Sequence, residues 1–170
     1  MRMFFALWPD ADLRARIAEA AAALLLPGDA RRVPRENYHV TLSFVGEIAP
    51  SQHPVLQRMG RDLKGSACVF KLDGYEYWPR AQVVALVAQE IPAALTQLHA
   101  QLRLVLGPMC LLRAHITLAR KVTQAPVLPA MSPIYWNARS FVLVRSDTSG
   151  EHSAYTVVDT WPLLDETPIP

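Results

Sequence analysis

Four residues occur twice in this chain, seventy-six positions apart: His39-Val40-Thr41-Leu42 and His115-Ile116-Thr117-Leu118. With five His, eight Thr and twenty-two Leu in 170 residues, about 0.03 copies of His-x-Thr-Leu would arise at random, so the pair is a signal. In an extended segment positions i and i+2 face the same way, and each phrase presents an imidazole beside a hydroxyl. Histidine changes charge near neutral pH. One imidazole can therefore take a proton from water while the other, protonated, gives one to a departing oxygen. Threonine hydroxyls can donate to the non-bridging oxygens of a phosphoryl group, where negative charge gathers during in-line displacement.

The alternatives are weighed on the same residues. A lone His on an apolar strand is more often a packing residue than a catalyst, and it is the second copy that shifts the balance. Zinc is the competing use of paired histidines, but each phrase supplies one His with no carboxylate or thiolate at ligand spacing, so no metal is expected. His53, His99 and His152 sit in unrelated contexts and read as surface or packing residues. Arg31, Arg32 and Arg35 precede the first phrase, and Arg113, Arg120 and Lys121 bracket the second, which concentrates positive charge near the motifs. All six are candidates for phosphate contacts, with ordinary solvated loop charge as the alternative, and Arg35 and Arg120 are the two assigned to the substrate. Phe44, Tyr38, Trp78 and Tyr155 are aromatic candidates for substrate contact, with core packing as the alternative for each.

The elements that must position these groups nearly repeat. Met3 to Leu7 reads as a strand, and Asp10 as the N-cap of a helix running to Leu26, stopped by Pro27-Gly28. Arg31 to Asn37 reads as a basic loop. Tyr38 to Val45 alternates as a strand ending at Gly46, Ser51 caps a short helix to Leu63, and Cys68 to Trp78 reads as one strand. After Pro79-Arg80 the order restarts: strand Gln82 to Ala88, helix Pro92 to Leu106, the terminator Gly107-Pro108, and the strand holding His115. A proline-bearing segment leads to a strand Tyr135 to Arg145, a turn over Asp147 to His152, a last strand Tyr155 to Trp161 and an irregular tail from Pro162. The recurrence of strand, helix and motif strand predicts an α+β fold. It would be bilobal, with two mainly antiparallel sheets related by an approximate twofold, helices on their outer sides and a central cleft between the motif strands.

Composition bounds the rest. About half of the residues are apolar and the net charge is +2, enough for a substantial core and too little for a general nucleic-acid surface, so any anion site is local. Cys68 and Cys110 share no metal or redox spacing and read as reduced, with a pairing left open. The first residues lack the pattern of a secretory signal, and the most apolar stretch, Ala18 to Leu26, is far shorter than the roughly 20 residues of a membrane span. The expectation is a cytoplasmic monomer with no membrane partner.

The segments Val33-Pro34-Arg35-Glu36-Asn37-Tyr38-His39-Val40-Thr41-Leu42-Ser43-Phe44-Val45-Gly46 and Arg113-Ala114-His115-Ile116-Thr117-Leu118-Ala119-Arg120 resemble the two signatures of the 2H phosphoesterase superfamily. More closely they resemble the RNA 2′,3′-cyclic phosphodiesterases, also called the 2′-5′ RNA ligase family. The opening Arg2 to Leu7 and the closing Tyr155 to Leu163 also suit that family, and Ala114 stands where relatives often carry proline. The resemblance implies one domain over residues 1–170 made of two intertwined lobes. It implies metal-independent, cofactor-free hydrolysis of a terminal 2′,3′-cyclic phosphate on RNA to a 2′-phosphomonoester. His39 and His115 would be catalytic, with His115 as base and His39 as acid; Thr41 and Thr117 would bind the phosphate. It also implies a possible reverse reaction that joins RNA ends through a 2′-5′ bond. The alternatives are a phosphodiesterase acting on 2′-5′ linked oligonucleotides or small cyclic nucleotides, and a module that binds RNA ends without turnover.

Overall fold

The computed structural model describes residues 1–107, 111–147 and 154–165. Its elements run β1 (Arg2–Leu7), α1 (Ala11–Ala22), β2 (Arg31–Arg32), a 3-10 turn at Arg35–Asn37, and β3 (Val40–Glu47). A second 3-10 turn, Pro50–Gln52, leads into α2 (His53–Asp62), then β4 (Cys68–Leu72), β5 (Gly74–Trp78), β6 (Val83–Val87) and α3 (Ala93–Leu106). β7 (His115–Arg120), β8 (Ile134–Ala138), β9 (Ser140–Asp147) and β10 (Ala154–Pro162) complete the order. Two four-stranded sheets have the orders β10-β9-β1-β3 and β2-β7-β6-β5, and β4 with β8 forms a small third one. The fold is α+β with antiparallel pairing throughout its sheets.

The expected recurrence is present as β1-α1-β3 and β6-α3-β7, and alternation along the strands decides what each face does. Met3, Phe5 and Leu7 of β1 and Val84 and Leu86 of β6 join one core with Val40, Leu42, Ile116 and Leu118 from the motif strands. Leu13 and Ile17 of α1, Leu56 of α2 and Leu95, Leu98 and Leu102 of α3 complete it. Each such side chain contributes about 1.5–3 kcal/mol by leaving water. The opposite faces carry two smaller clusters, Phe4, Ala6, Val142 and Val144 on one sheet and Val83, Ala85 and Val87 on the other. Helices cross between the halves: α3 lies against β3, and the Tyr75 hydroxyl of β5 donates to the Ala20 carbonyl of α1 at 2.8 Å.

Several boundaries differ from expectation, each for a tertiary reason. Asp10 does cap α1, its carboxylate accepting from the Leu13 N–H at 2.8 Å, but the helix stops at Ala22 instead of Leu26. Arg32, far along the chain, donates to the Ala21 and Leu24 carbonyls and closes that end. The loop over Arg31 to Asn37 holds a short strand and a 3-10 turn. Ser51 is not a cap: Gln52 reaches back to the Ala49 N–H at 2.8 Å and shapes a 3-10 turn ahead of α2. The strand expected over Cys68 to Trp78 is two, because at Asp73 the chain leaves β8 and its N–H passes to the Val87 carbonyl of β6. Tyr135 to Arg145 likewise splits at Arg139 between β8 and β9, which belong to different sheets. Pro162 closes β10 instead of opening an irregular tail, and Leu164 bridges to Ser66.

Cys110, Pro108, His152, most of the turn after Asp147 and the last five residues lie outside the described residues, and with them any pairing of Cys68. Among the described residues no helix is long and apolar enough to cross a membrane.

Candidate active site

Both motif phrases reach the cleft by the same local device. Along β3, Phe5 opposes Ser43 and Ala6 opposes Thr41, which leaves Leu42 between them without a partner. Along β7, Val84 opposes Ala119 and Ala85 opposes Thr117, which leaves Leu118 in the same position. Each phrase therefore carries a bulge at its leucine, a feature that re-aims neighbouring side chains. Val40, Leu42, Ile116 and Leu118 go to the core, while His39, Thr41, His115 and Thr117 line one cleft of about 510 Å³. That volume falls within the range of small-molecule sites.

The two imidazoles are held alike. His39 Nδ1 lies 2.7 Å from the Asn37 carbonyl, and His115 Nδ1 lies 2.7 Å from the Arg113 carbonyl. A carbonyl can only accept, so each Nδ1 carries the proton and donates it. In the neutral form each Nε2 presents a lone pair, the arrangement a proton acceptor needs. His39 Nε2 is 3.1 Å from Thr41 Oγ1, whose hydroxyl donates to it.

The rings are set by aromatic packing that differs between the halves. Trp8 stacks on His39 at a centroid distance of 5.6 Å, with Phe4 and Tyr155 against its other sides. Trp78 meets His115 edge-on at 4.7 Å. Trp78 is itself fixed: its indole N–H donates to Glu76, which also pairs with Arg113, and the Arg113 guanidinium lies over the indole.

Burial in these surroundings pushes the His39 pKa down to about 4, with the nearby His115 and Arg120 charges adding and the Asn37 hydrogen bond opposing. Burial also lowers His115, with Arg113 and Arg120 adding and the Arg113 carbonyl bond opposing. Both imidazoles are thus held toward the neutral form in the free site.

Of the residues singled out in the sequence, the structure brings together His39, His115, Thr41, Thr117, Arg120 and Phe44, with Trp78 and Tyr155 beside them. Phe44 is 63% exposed at this cleft. Tyr38 is not there: it is 4% exposed and packs in the core. Arg35 is not there either; it sits in the exposed turn beside Glu36, 3.4 Å away. Trp8, Phe4 and Glu76 were not singled out as site residues in the sequence, because no spacing ties them to the motifs, and the pairing of Glu76 with Arg113 is a tertiary contact. Among the described residues no three His, Cys, Asp or Glu side chains gather as a ligand set.

Comparison with known proteins finds relatives along nearly the whole chain. The family model of the LigT-like phosphoesterases matches residues 7–85. The RNA 2′,3′-cyclic phosphodiesterase of Escherichia coli (strain K12) is 28% identical over 170 residues, covering 95% of this chain and 96% of that protein. Its counterpart from Thermus thermophilus is 28% identical over 182 residues, covering 98% and 92%. A crystal structure of E. coli LigT complexed with NADP+ superposes with a TM-score of 0.88 at 28% identity, over 96% of this chain and 98% of that one. The chain is thus similar along nearly its whole length to LigT-type phosphoesterases, and their family model covers the part that holds its first His-x-Thr-Leu phrase.

Proposed function

We propose that this protein opens the 2′,3′-cyclic phosphate at an RNA end by acid–base catalysis between His39 and His115, leaving a 2′-phosphomonoester. The observation that carries this is the matched pair of imidazoles in one cleft, each with Nδ1 bound to the carbonyl two residues back. Both relatives named above act on that class of bond by name.

In the forward direction His115 takes a proton from water as its oxygen attacks phosphorus. The bond to the 3′-oxygen breaks, and His39 gives that oxygen its proton. Thr41 and Thr117 donate to the non-bridging oxygens, and Arg120 balances their charge. In the free site Thr41 donates to His39 Nε2, so substrate binding turns this hydroxyl from the imidazole to the phosphate. The arriving anion favours a proton on His39 and offsets the burial that lowers its pKa. Once protonated beside the phosphate, the ring can give that proton to the departing oxygen. Exposed Phe44 offers a face on which the terminal base can stack. With the 5′-hydroxyl of a second RNA end in place of water, the same groups would join the two ends through a 2′-5′ bond, His115 taking the hydroxyl proton and His39 giving one to the departing 3′-oxygen.

This chemistry uses no metal in any step, because two imidazoles move both protons and two hydroxyls with a guanidinium hold the charge. Purified protein in excess chelator is expected to convert a 2′,3′-cyclic nucleotide or RNA end to the 2′-phosphate, read by phosphorus NMR. Loss of turnover restored by added zinc would refute the metal-free reaction, and a 3′-phosphate product would exchange the two histidine roles.

A further inference from the structure

The cleft has a second, narrower arm. From His39 and Thr117 a recess of about 170 Å³ runs past Arg120 to Arg31 and Lys121. Small-molecule sites start at roughly 300 Å³, so the recess is too small to enclose a nucleoside. At roughly 30 Å³ per water molecule it has room for a group the size of a phosphate.

Its wall is positive and uncompensated. Arg31, Arg32, Arg120 and Lys121 line it, and among the described residues no Asp or Glu does. Arg32 is engaged with the carbonyls that end α1, which leaves three cations for a ligand. Two of them stand where an ordinary sheet would not put them: Arg31 of β2 is directly opposite Arg120 of β7, and like charges so opposed in antiparallel strands repel. Lys121 follows with a φ of 57°, a left-handed turn that residues with a Cβ rarely adopt. That turn sends the Val122 N–H back to the Gln82 carbonyl at 3.0 Å and leaves Lys121 on the recess. A local rule broken beside a reactive centre is the mark of a bound partner, and an anion between these cations turns their repulsion into attraction.

Strand chemistry identifies the anion. A 2′,3′-cyclic phosphate closes the last sugar of an RNA, so every further phosphate on that strand lies on the 5′ side. Arg120 lines both arms, so the reacting phosphate and an anion in the recess would share its guanidinium. On the cyclic-phosphate reading of the site given above, we propose that the recess binds the phosphate on the 5′-oxygen of the terminal nucleotide, with Arg31 and Lys121 as the residues that select it. The protein then discriminates by what lies upstream of the bond it breaks.

The test compares kcat/KM for three substrates: adenosine 2′,3′-cyclic phosphate with a free 5′-hydroxyl, the same compound with a 5′-phosphate, and a dinucleotide ending in the cyclic phosphate. One or both phosphate-bearing substrates should be preferred by about tenfold or more, the scale of one or two charge-assisted hydrogen bonds. In the double variant Arg31→Gln/Lys121→Asn that ratio should fall toward one, and Arg31→Lys should retain most of it. Asn at position 121 removes the charge and tolerates the left-handed backbone. A gain for the dinucleotide alone identifies a strand end as the occupant; a gain for the 5′-phosphorylated nucleotide identifies the terminal phosphate itself as sufficient. Equal kcat/KM for all three substrates, or a double variant that slows all three by one factor, overturns the proposal. Calorimetric binding of adenosine 2′-monophosphate and adenosine 2′,5′-bisphosphate makes the same comparison without turnover. Tighter binding of the bisphosphate, lost in the double variant, supports the recess even if no substrate is hydrolysed, and equal binding refutes it. Failure of hydrolysis alone would count against the cyclic-phosphate reading only.

Discussion

Leu42 and Leu118 occupy the same position in the two halves: each ends its motif phrase, each is unpaired across a bulge, and they are 2% and 0% exposed. A bulge frees backbone groups that must find partners elsewhere. The two carbonyls find different ones. His99 Nδ1 of α3 donates to the Leu42 carbonyl at 2.9 Å, and the Val33 N–H beyond β2 donates to the Leu118 carbonyl at 2.8 Å. Each half thus braces one motif strand of the other, since α3 and β7 come late in the chain while β3 and Val33 come early.

His99→Leu is therefore expected to destabilise the protein by about 1–3 kcal/mol, the cost of leaving a buried carbonyl without its donor. Urea unfolding of the variant beside the wild type reads this directly. Turnover should fall as well, because Thr41 precedes the bulge that His99 pins. A change below about 0.5 kcal/mol, the range of an ordinary surface substitution, would show that the bulge holds without the imidazole.

The division between what the chain revealed and what it hid follows from the range of the forces involved. Period-2 alternation placed His39 with Thr41 and His115 with Thr117, because side-chain direction along a strand is a local property. The order of strand, helix and motif strand was legible for the same reason, as were the Asp10 cap and the Gly107 stop, the latter at a φ of 96°. Asp73 and Arg139 were not, since each marks a strand changing sheets, and partner choice is set by residues far away in sequence. Tyr38 and Arg35 were misplaced for local reasons instead. Tyr38 is adjacent to His39, so its side chain points to the other face, into the core, and Arg35 is carried off by a 3-10 turn. Trp8 is the converse case. Only the pairing of Leu7 with Val40 brings the end of β1 beside His39.

The depressed His39 pKa makes a prediction about stability. An imidazole that titrates near 6.5 in the unfolded chain and at about 4 in the folded one leaves the unfolded state holding more protons between those values. Stability is then highest above pH 6.5 and falls as the pH drops toward 4, by up to roughly 3 kcal/mol from this residue. His115, lowered in the same direction, adds to the loss. Unfolding midpoints at pH 7 and pH 4.5 should separate more for the wild type than for His39→Leu, which has nothing at this position to titrate. Equal separation in the two proteins would place the acid sensitivity elsewhere.

The rate should carry the same signature. Because kcat/KM reports ionisations of the free enzyme, its pH dependence belongs to the imidazole pair in the empty cleft. One ring must hold a proton and the other must not, and both titrate below the ordinary histidine value. A cyclic phosphodiester stays anionic across this range, so the two limbs come from the protein. The profile is expected to be a bell whose maximum lies on the acid side of neutrality, between about 4 and 6.5. His39→Ala and His115→Ala should each lower turnover by about 10²-fold or more while keeping the fold by circular dichroism, and each should abolish one limb of the bell. A flat wild-type profile from pH 5 to 9, or near-native turnover in either variant, would remove that imidazole from the proton transfers.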